Sequence, residues 1–367
     1  MKVQIYGTFG PACKSQEILE SMIQMGMTGM RLNLSHTTLE KSKDYIENYR
    51  QAAKNQGVIP QILIDMQGPE LRIGDMEEIV LQEETKFSFV EDKKSERVRK
   101  EKLLNLKGQN DEIEEGKGIP VPTSIMKVLK KGMEVLLDDG RIRVQVEEVK
   151  EDSTIAKVLV GGMLKPHKSI KIVDVNVEMP VLTKHDLHNI QLAKEYGVTA
   201  LMQPFVFSGD DLKKVREILK ENEVENIQIF AKIENRIGVE NLDSILSEAD
   251  LIVIARGDLG NDMPLWELPA VQKKIETACK KYGKPYMVVT QMLATMEQNP
   301  IPTRAEVSDI FHAVLHGAEA VMVTGETAVG KYPVEVIKYL ANTSKEAVRY
   351  QNSSQEMKRG RDIGIKY

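Results

Sequence analysis

The 367-residue chain is 41% hydrophobic and 29% charged, with a net charge of −5. That composition suits a globular α/β protein and lacks the basic field of a nucleic-acid binder. No apolar run is long enough for a membrane helix, and Cys13 and Cys279 lack the spacing of a disulfide framework or a zinc site. The opening MKVQIYGTFG carries no signal-peptide core, so a cytoplasmic location is expected.

In chain order, VQIYG (3–7) precedes a segment in which Ile18, Leu19, Met22 and Ile23 keep helical spacing. MRLNLS (30–35) leads into a second helix-like stretch, and QILIDMQ (61–67) follows. After a break the rhythm resumes with ALMQPFV, IQIFAKIE, LIVIAR, YMVVTQ and AVMVTG, separated by segments such as DLKKVREILKEN and LPAVQKKIETACKKYG. Eight strand candidates alternating with helices predict an α/β (β/α)₈ TIM barrel over 1–73 and 174–347. A doubly wound open sheet has the same alternation and is the alternative.

The break, 74–173, contains short alternating runs such as TKFSFVED, MEVLLDDGRIRVQVEEV and TIAKVLVGG. It is expected to be a small inserted β-barrel domain, with the charged stretch 91–118 as a solvated loop. The end of the chain, 348–367, is polar and is expected to form an exposed tail.

A (β/α)₈ barrel gathers its site where the strands end. Here the ends carry Arg31, Asn33, Ser35 and His36, then Asp65 followed by Glu70 and Arg72. Further ends carry Lys232 and Glu234, then Arg256, Gly257 and Asp258, then Thr290 and Glu326. In FAKIENRIG, Lys232 and Glu234 are two apart and share one strand face. Glu234 and Asp258 on neighbouring strands repel unless a proton or cation lies between them. The residue types suit an anionic, phosphorylated substrate held with Mg²⁺ or Mn²⁺.

The motifs TFGPA, GMRLNLSH, IDMQGPELRIG, LLDDGRI, AKIEN, ARGDLG, KPYMVVTQML, NPIPTRAEVSD and AVMVTGETAVGKYPVEVI occur in one ordered set. By that set the chain resembles pyruvate kinases over nearly its whole length. The resemblance implies transfer of a phosphoryl group from phosphoenolpyruvate to ADP, giving pyruvate and ATP. It implies that Lys232 meets the phosphoryl group, Arg31 and Arg72 contact phosphate, and Thr290 takes part in protonation. Glu234 and Asp258 match the Mg²⁺ or Mn²⁺ ligands, and the backbone from Ala255 through Gly257 to Asp258 matches the carboxylate-binding turn. Asn33, Ser35, Asp65 and Met66 match a monovalent-cation site for K⁺. Pro11, Arg31, Asn33, His36 and Lys168 match the nucleotide side.

Some positions depart from the family pattern. Met66, Gln67 and Ile73 replace residues usual in potassium-dependent members, whereas Glu70 agrees with them. Pro204 and Phe207 replace a serine and an arginine, and the lid hinge reads His167 to Asp174. The chain stops 27 residues after Leu340, so the family's C-terminal allosteric domain is expected to be absent, with a homo-oligomer left open. His185, His188, His312 and His316 are read as bystanders, Arg256 as a partner for a carboxylate, and Glu326 as support. The alternatives are a weakly active paralogue that binds phosphoenolpyruvate and metal as a regulator, or lyase or aldolase chemistry on pyruvate enolate.

Overall fold

The computed structural model describes residues 3–35, 37–92, 118–173, 175, 177 and 179–362; side chains beyond 354 are left aside. The charged stretch expected as a solvated loop falls almost wholly outside them, as does His36.

Eight parallel strands close into a barrel, as the alternation of apolar runs and helices predicts. They are β1 (Gln4–Thr8), β2 (Gly29–Asn33), β3 (Gln61–Asp65), β12 (Ala200–Gln203), β13 (Gln228–Ile233), β14 (Leu251–Ala255), β15 (Tyr286–Val289) and β16 (Ala320–Met322). Strands β12, β14, β15 and β16 are buried at every position, which explains their uninterrupted apolar runs. Inside the barrel, Tyr6, Leu63, Met202, Phe230, Val253 and Met287 form part of a closed core.

The surrounding helices are delimited by local chemistry. In Gln16–Met25 the Ser15 side chain accepts from the Ile18 N–H, and Gly26 ends the helix at φ 117°. Leu19, Met22 and Ile23 form its buried face. The stretch read as a polar tail continues the final helix, Pro333–Asp362. No glycine or proline interrupts the sequence from Ala347 to Arg359, so nothing local stops the helix there.

The chain divides into two compact units, 1–68 with 181–367, and 69–180. The second reaches a few residues beyond 74–173 at both ends, because Leu71, Ile73, Val175 and Val177 belong to its own core. It contains β4 (Ile79–Leu81), β5 (Lys86–Glu91), β6 (Ile119–Val121), β7 (Glu134–Leu137), β8 (Ile142–Val149), β9 (Ser153–Val160), β10 (Gly162–Leu164) and β11 (Ile170–Ile172). Six of these form a sheet in the order β11-β7-β8-β9-β5-β6, and β10 pairs with β4. Among the described residues no helix is long and apolar enough to cross a membrane.

Candidate active site

The barrel register sets the site. Phe230 faces the barrel core, and β13 alternates, so Lys232 is the next inward position and Glu234 the one after. Thr8 pairs with Arg31, and Asn33 pairs with Asp65, on the adjoining strands. Four strand ends therefore converge on one rim.

Lys232 Nζ lies 2.7 Å from Glu234 Oε1 and 3.5 Å from Asp65 Oδ1. Arg31 donates to Asp65 Oδ2 through Nε at 2.9 Å and Nη2 at 2.6 Å, and its Nη1 reaches Thr8 Oγ1 at 3.4 Å. Glu234 Oε2 accepts the Phe205 N–H at 2.8 Å. Burial favours neutral Asp65, but Lys232 and Arg31 prevail and hold its carboxyl below the usual range. Burial likewise works against charged Lys232; Asp65, Glu234 and Asp258 outweigh it and raise the ammonium above its ordinary value.

Asp258 behaves oppositely. Asp258 keeps an exposed surface at the rim, yet the protein packed around its carboxyl and the adjacent Glu234 push it up to about 7, although Lys232 pulls the other way. Two hard oxygen donors sharing excess negative charge fit a divalent ion that completes its shell with water and substrate oxygens. Among the described residues no cluster of three or more His, Cys, Asp or Glu side chains could hold a metal alone. Asp65 Oδ1 is buried and faces the Lys232 ammonium at 3.5 Å without a well-formed hydrogen bond. Asn33 Oδ1 accepts the Ser35 N–H at 3.2 Å, folding that loop back on the strand end, and the Met66 N–H continues the β3–β12 pairing through the Met202 carbonyl.

Thr290 ends β15 at φ 69°, a left-handed conformation strained for a β-branched residue. Its hydroxyl donates to the Val289 carbonyl at 2.6 Å and accepts the Gly257 N–H at 2.8 Å. Ala255 precedes the short helix Arg256–Asp262, which carries Gly257 and Asp258. Arg256 pairs with Asp309 at 2.7 Å and donates to the Thr290 carbonyl, so it shapes the turn. Glu326 is internal support, accepting the Leu293 and Thr324 N–H groups. Pro11, itself exposed, opens a short turn after β1 that ends in the buried Cys13.

Arg72 and Lys168 belong to the second unit. There Arg72 pairs with Glu70 at 2.6 Å and donates to the His167 carbonyl, while Lys168 pairs with Asp138 at 2.7 Å. Two histidines read as bystanders hold the β2 loop: His185 contacts the Leu34 carbonyl at 2.7 Å and His188 contacts Glu40 at 2.8 Å. His316 pairs with the buried Glu276, away from the rim.

The chain matches the family model described as pyruvate kinase, barrel domain, over residues 1–337. The chain belongs to the pyruvate kinase family. It is 36% identical over 355 residues to a pyruvate kinase of Bacillus licheniformis, covering 95% of this chain and 58% of that protein. With that of Geobacillus stearothermophilus it shares 38% over 341 residues, covering 92% and 55%. The chain thus spans somewhat over half the length of these curated relatives. The crystal structure of a pyruvate kinase from Cryptosporidium parvum superimposes with a TM-score of 0.84 at 33% identity, covering 94% of this chain and 69% of that one.

Proposed function

We propose that the barrel rim transfers the phosphoryl group of phosphoenolpyruvate to ADP, yielding pyruvate and ATP. The observation that carries this reading is the Lys232 ammonium held between Asp65 and Glu234, with Asp258 beside them. In the reaction, the bond from phosphorus to the enol oxygen breaks as one forms to a terminal phosphate oxygen of ADP. The enolate then takes a proton at its methylene carbon.

Lys232 supplies fixed positive charge for the phosphoryl oxygens and the enolate oxygen, and needs no reorganisation because carboxylates already orient it. Arg31, oriented by Asp65, adds a second cation at the phosphate. Glu234 and Asp258 would hold Mg²⁺ or Mn²⁺, which when bound neutralises substrate charge and polarises its oxygens. Thr290 has a hydroxyl positioned to hold a proton at the Gly257 turn. Arg72, Pro11, Asn33, His36 and Lys168 are assigned to phosphate and nucleotide by family likeness, and Asn33, Ser35, Asp65 and Met66 to K⁺. A cytoplasmic location follows from the same reading.

An assay of pyruvate formation from phosphoenolpyruvate and ADP, with Mg²⁺ and with or without K⁺, tests the proposal. ADP-dependent turnover is expected; a folded protein without it would overturn the reading. Phosphoenolpyruvate binding without turnover would instead indicate the regulatory paralogue, and products formed without ADP the lyase or aldolase.

A further inference from the structure

We propose that Asp186 is a positioning residue for the β3 rim. It occupies the first turn of the helix Lys184–Leu192 and is fully buried. Four donors converge on its carboxylate. Oδ1 accepts the Gln67 N–H at 2.8 Å, and Oδ2 accepts the Gly68 N–H at 3.1 Å. Oδ2 also accepts the Thr183 N–H and the Thr183 hydroxyl, each at 2.8 Å.

A capping box needs only the Thr183 contacts. The two amides from the β3 loop exceed that need and come from more than a hundred residues away in sequence. They belong to the residues that directly follow Asp65 and Met66. They are also the last residues of the barrel before the chain passes to the second unit, while Thr183 lies just after its return. One side chain thus ties the departing and returning segments together on the barrel side.

The loop it holds has little freedom. Gly68 lies at φ 63°, and a Cβ there would come within 2.5 Å of Pro204 Cγ. Gln67 also reaches the Ser35 carbonyl through Nε2 at 3.4 Å. The same helix secures the β2 loop, with His185 on the Leu34 carbonyl and the Leu39 N–H on Asn189 Oδ1. The helix therefore braces both loops that follow Asn33 and Asp65 and that carry Ser35 and Met66. Through Asp65, Asp186 sets the orientation of Arg31 and Lys232.

The catalytic consequence rests on the reading above, but the structural one does not. In the full chain, Asp186→Asn replaces an acceptor-only group with one that also presents N–H donors to N–H donors. Amide hydrogen exchange at Gln67 and Gly68 is expected to accelerate roughly tenfold or more, with β13 and β14 unaffected. Thr183→Val, which removes a hydroxyl that contacts Asp186 Oδ2 and the Gln67 Oε1 side-chain oxygen at 3.2 Å but leaves both amide bonds to Asp186, should keep both amides protected. If Asp186→Asn does not fold, Asp186→Glu serves, with the same expected acceleration from its displaced oxygens. Unchanged exchange at Gln67 and Gly68 would overturn the proposal. So would equal acceleration throughout the barrel, or a loss in Thr183→Val as large as in Asp186→Asn. In the phosphoenolpyruvate assay, kcat should fall roughly tenfold or more with a smaller change in KM. A KM effect with unchanged kcat would contradict it. If the unaltered chain shows no turnover, the functional reading fails and amide exchange alone decides the role of Asp186.

Discussion

Lys232 Nζ lies 2.7 Å from Glu234 Oε1, Lys232 standing on β13 and Glu234 directly after its last residue. Glu234 is buried and Lys232 partly so, with Asp65 also beside the ammonium. Lys232→Met should reduce turnover on the order of a thousandfold by removing positive charge where phosphoryl and enolate charge develop. It should also lower Tm, because Glu234 is left buried with uncompensated charge. Adding Glu234→Gln should recover part of the lost Tm without recovering turnover. Thermal unfolding of the two variants checks the coupling.

Asp258 gives the site a pH dependence with a defined sign. Its carboxyl is raised from 3.8 to about 7, so the folded chain retains a proton that the unfolded chain loses. The stability this group contributes is complete below its unfolded pKa and is lost as pH rises through about 7. A divalent ion competes with that proton. Mg²⁺ should therefore raise Tm more at about pH 8 than at about pH 6, with proton release on binding. In Asp258→Asn the metal-free protein should gain Tm above neutrality and lose most of its response to Mg²⁺. Calorimetry in buffers of different ionisation enthalpy measures the released protons.

Thr290 combines strain with the hydroxyl proposed to hold a proton. Its φ of 69° costs roughly 1–3 kcal/mol. Thr290→Gly should thus be more stable than Thr290→Ala, although neither supplies an acceptor for the Gly257 N–H. Thr290→Ser, which keeps the hydroxyl, should retain most activity. Incorporation of solvent deuterium into the methyl group of pyruvate should fall on the order of a hundredfold in Thr290→Ala.

Gly10, within the TFGPA motif, is required by a close approach. A Cβ there would lie 2.3 Å from the Ala328 carbonyl oxygen and 2.6 Å from its Cα. Backbone must move to admit it. Gly10→Ala should cost about 1–3 kcal/mol, seen as a lower denaturant midpoint with an unchanged slope.

Much of this architecture is legible in the residues because the barrel uses two simple periodicities. Runs such as LIVIA are uniformly apolar because both strand faces are buried, and the polar or charged residues that end most of them mark the rim. The polar pair in FAKIENRIG was readable as one inward face because strand alternation is strict. What periodicity does not carry is contact between distant segments. His185 sits on a helix with an ordinary polar pattern, yet it holds the Leu34 carbonyl. Asp186 carried a readable signal, Thr183 three residues before it in a capping box, but not its bonds to Gln67 and Gly68. The helical continuation to Asp362 was missed because polarity was read as an exposed tail, whereas helix propensity tolerates polar residues.

The most direct test of the account is an initial-rate comparison of the full chain with Lys232→Met, using phosphoenolpyruvate, ADP and Mg²⁺ after both proteins have been shown to be folded. The account predicts ADP-dependent pyruvate and ATP formation by the unaltered chain and a loss on the order of a thousandfold in the variant. Equal rates in the two proteins would contradict it.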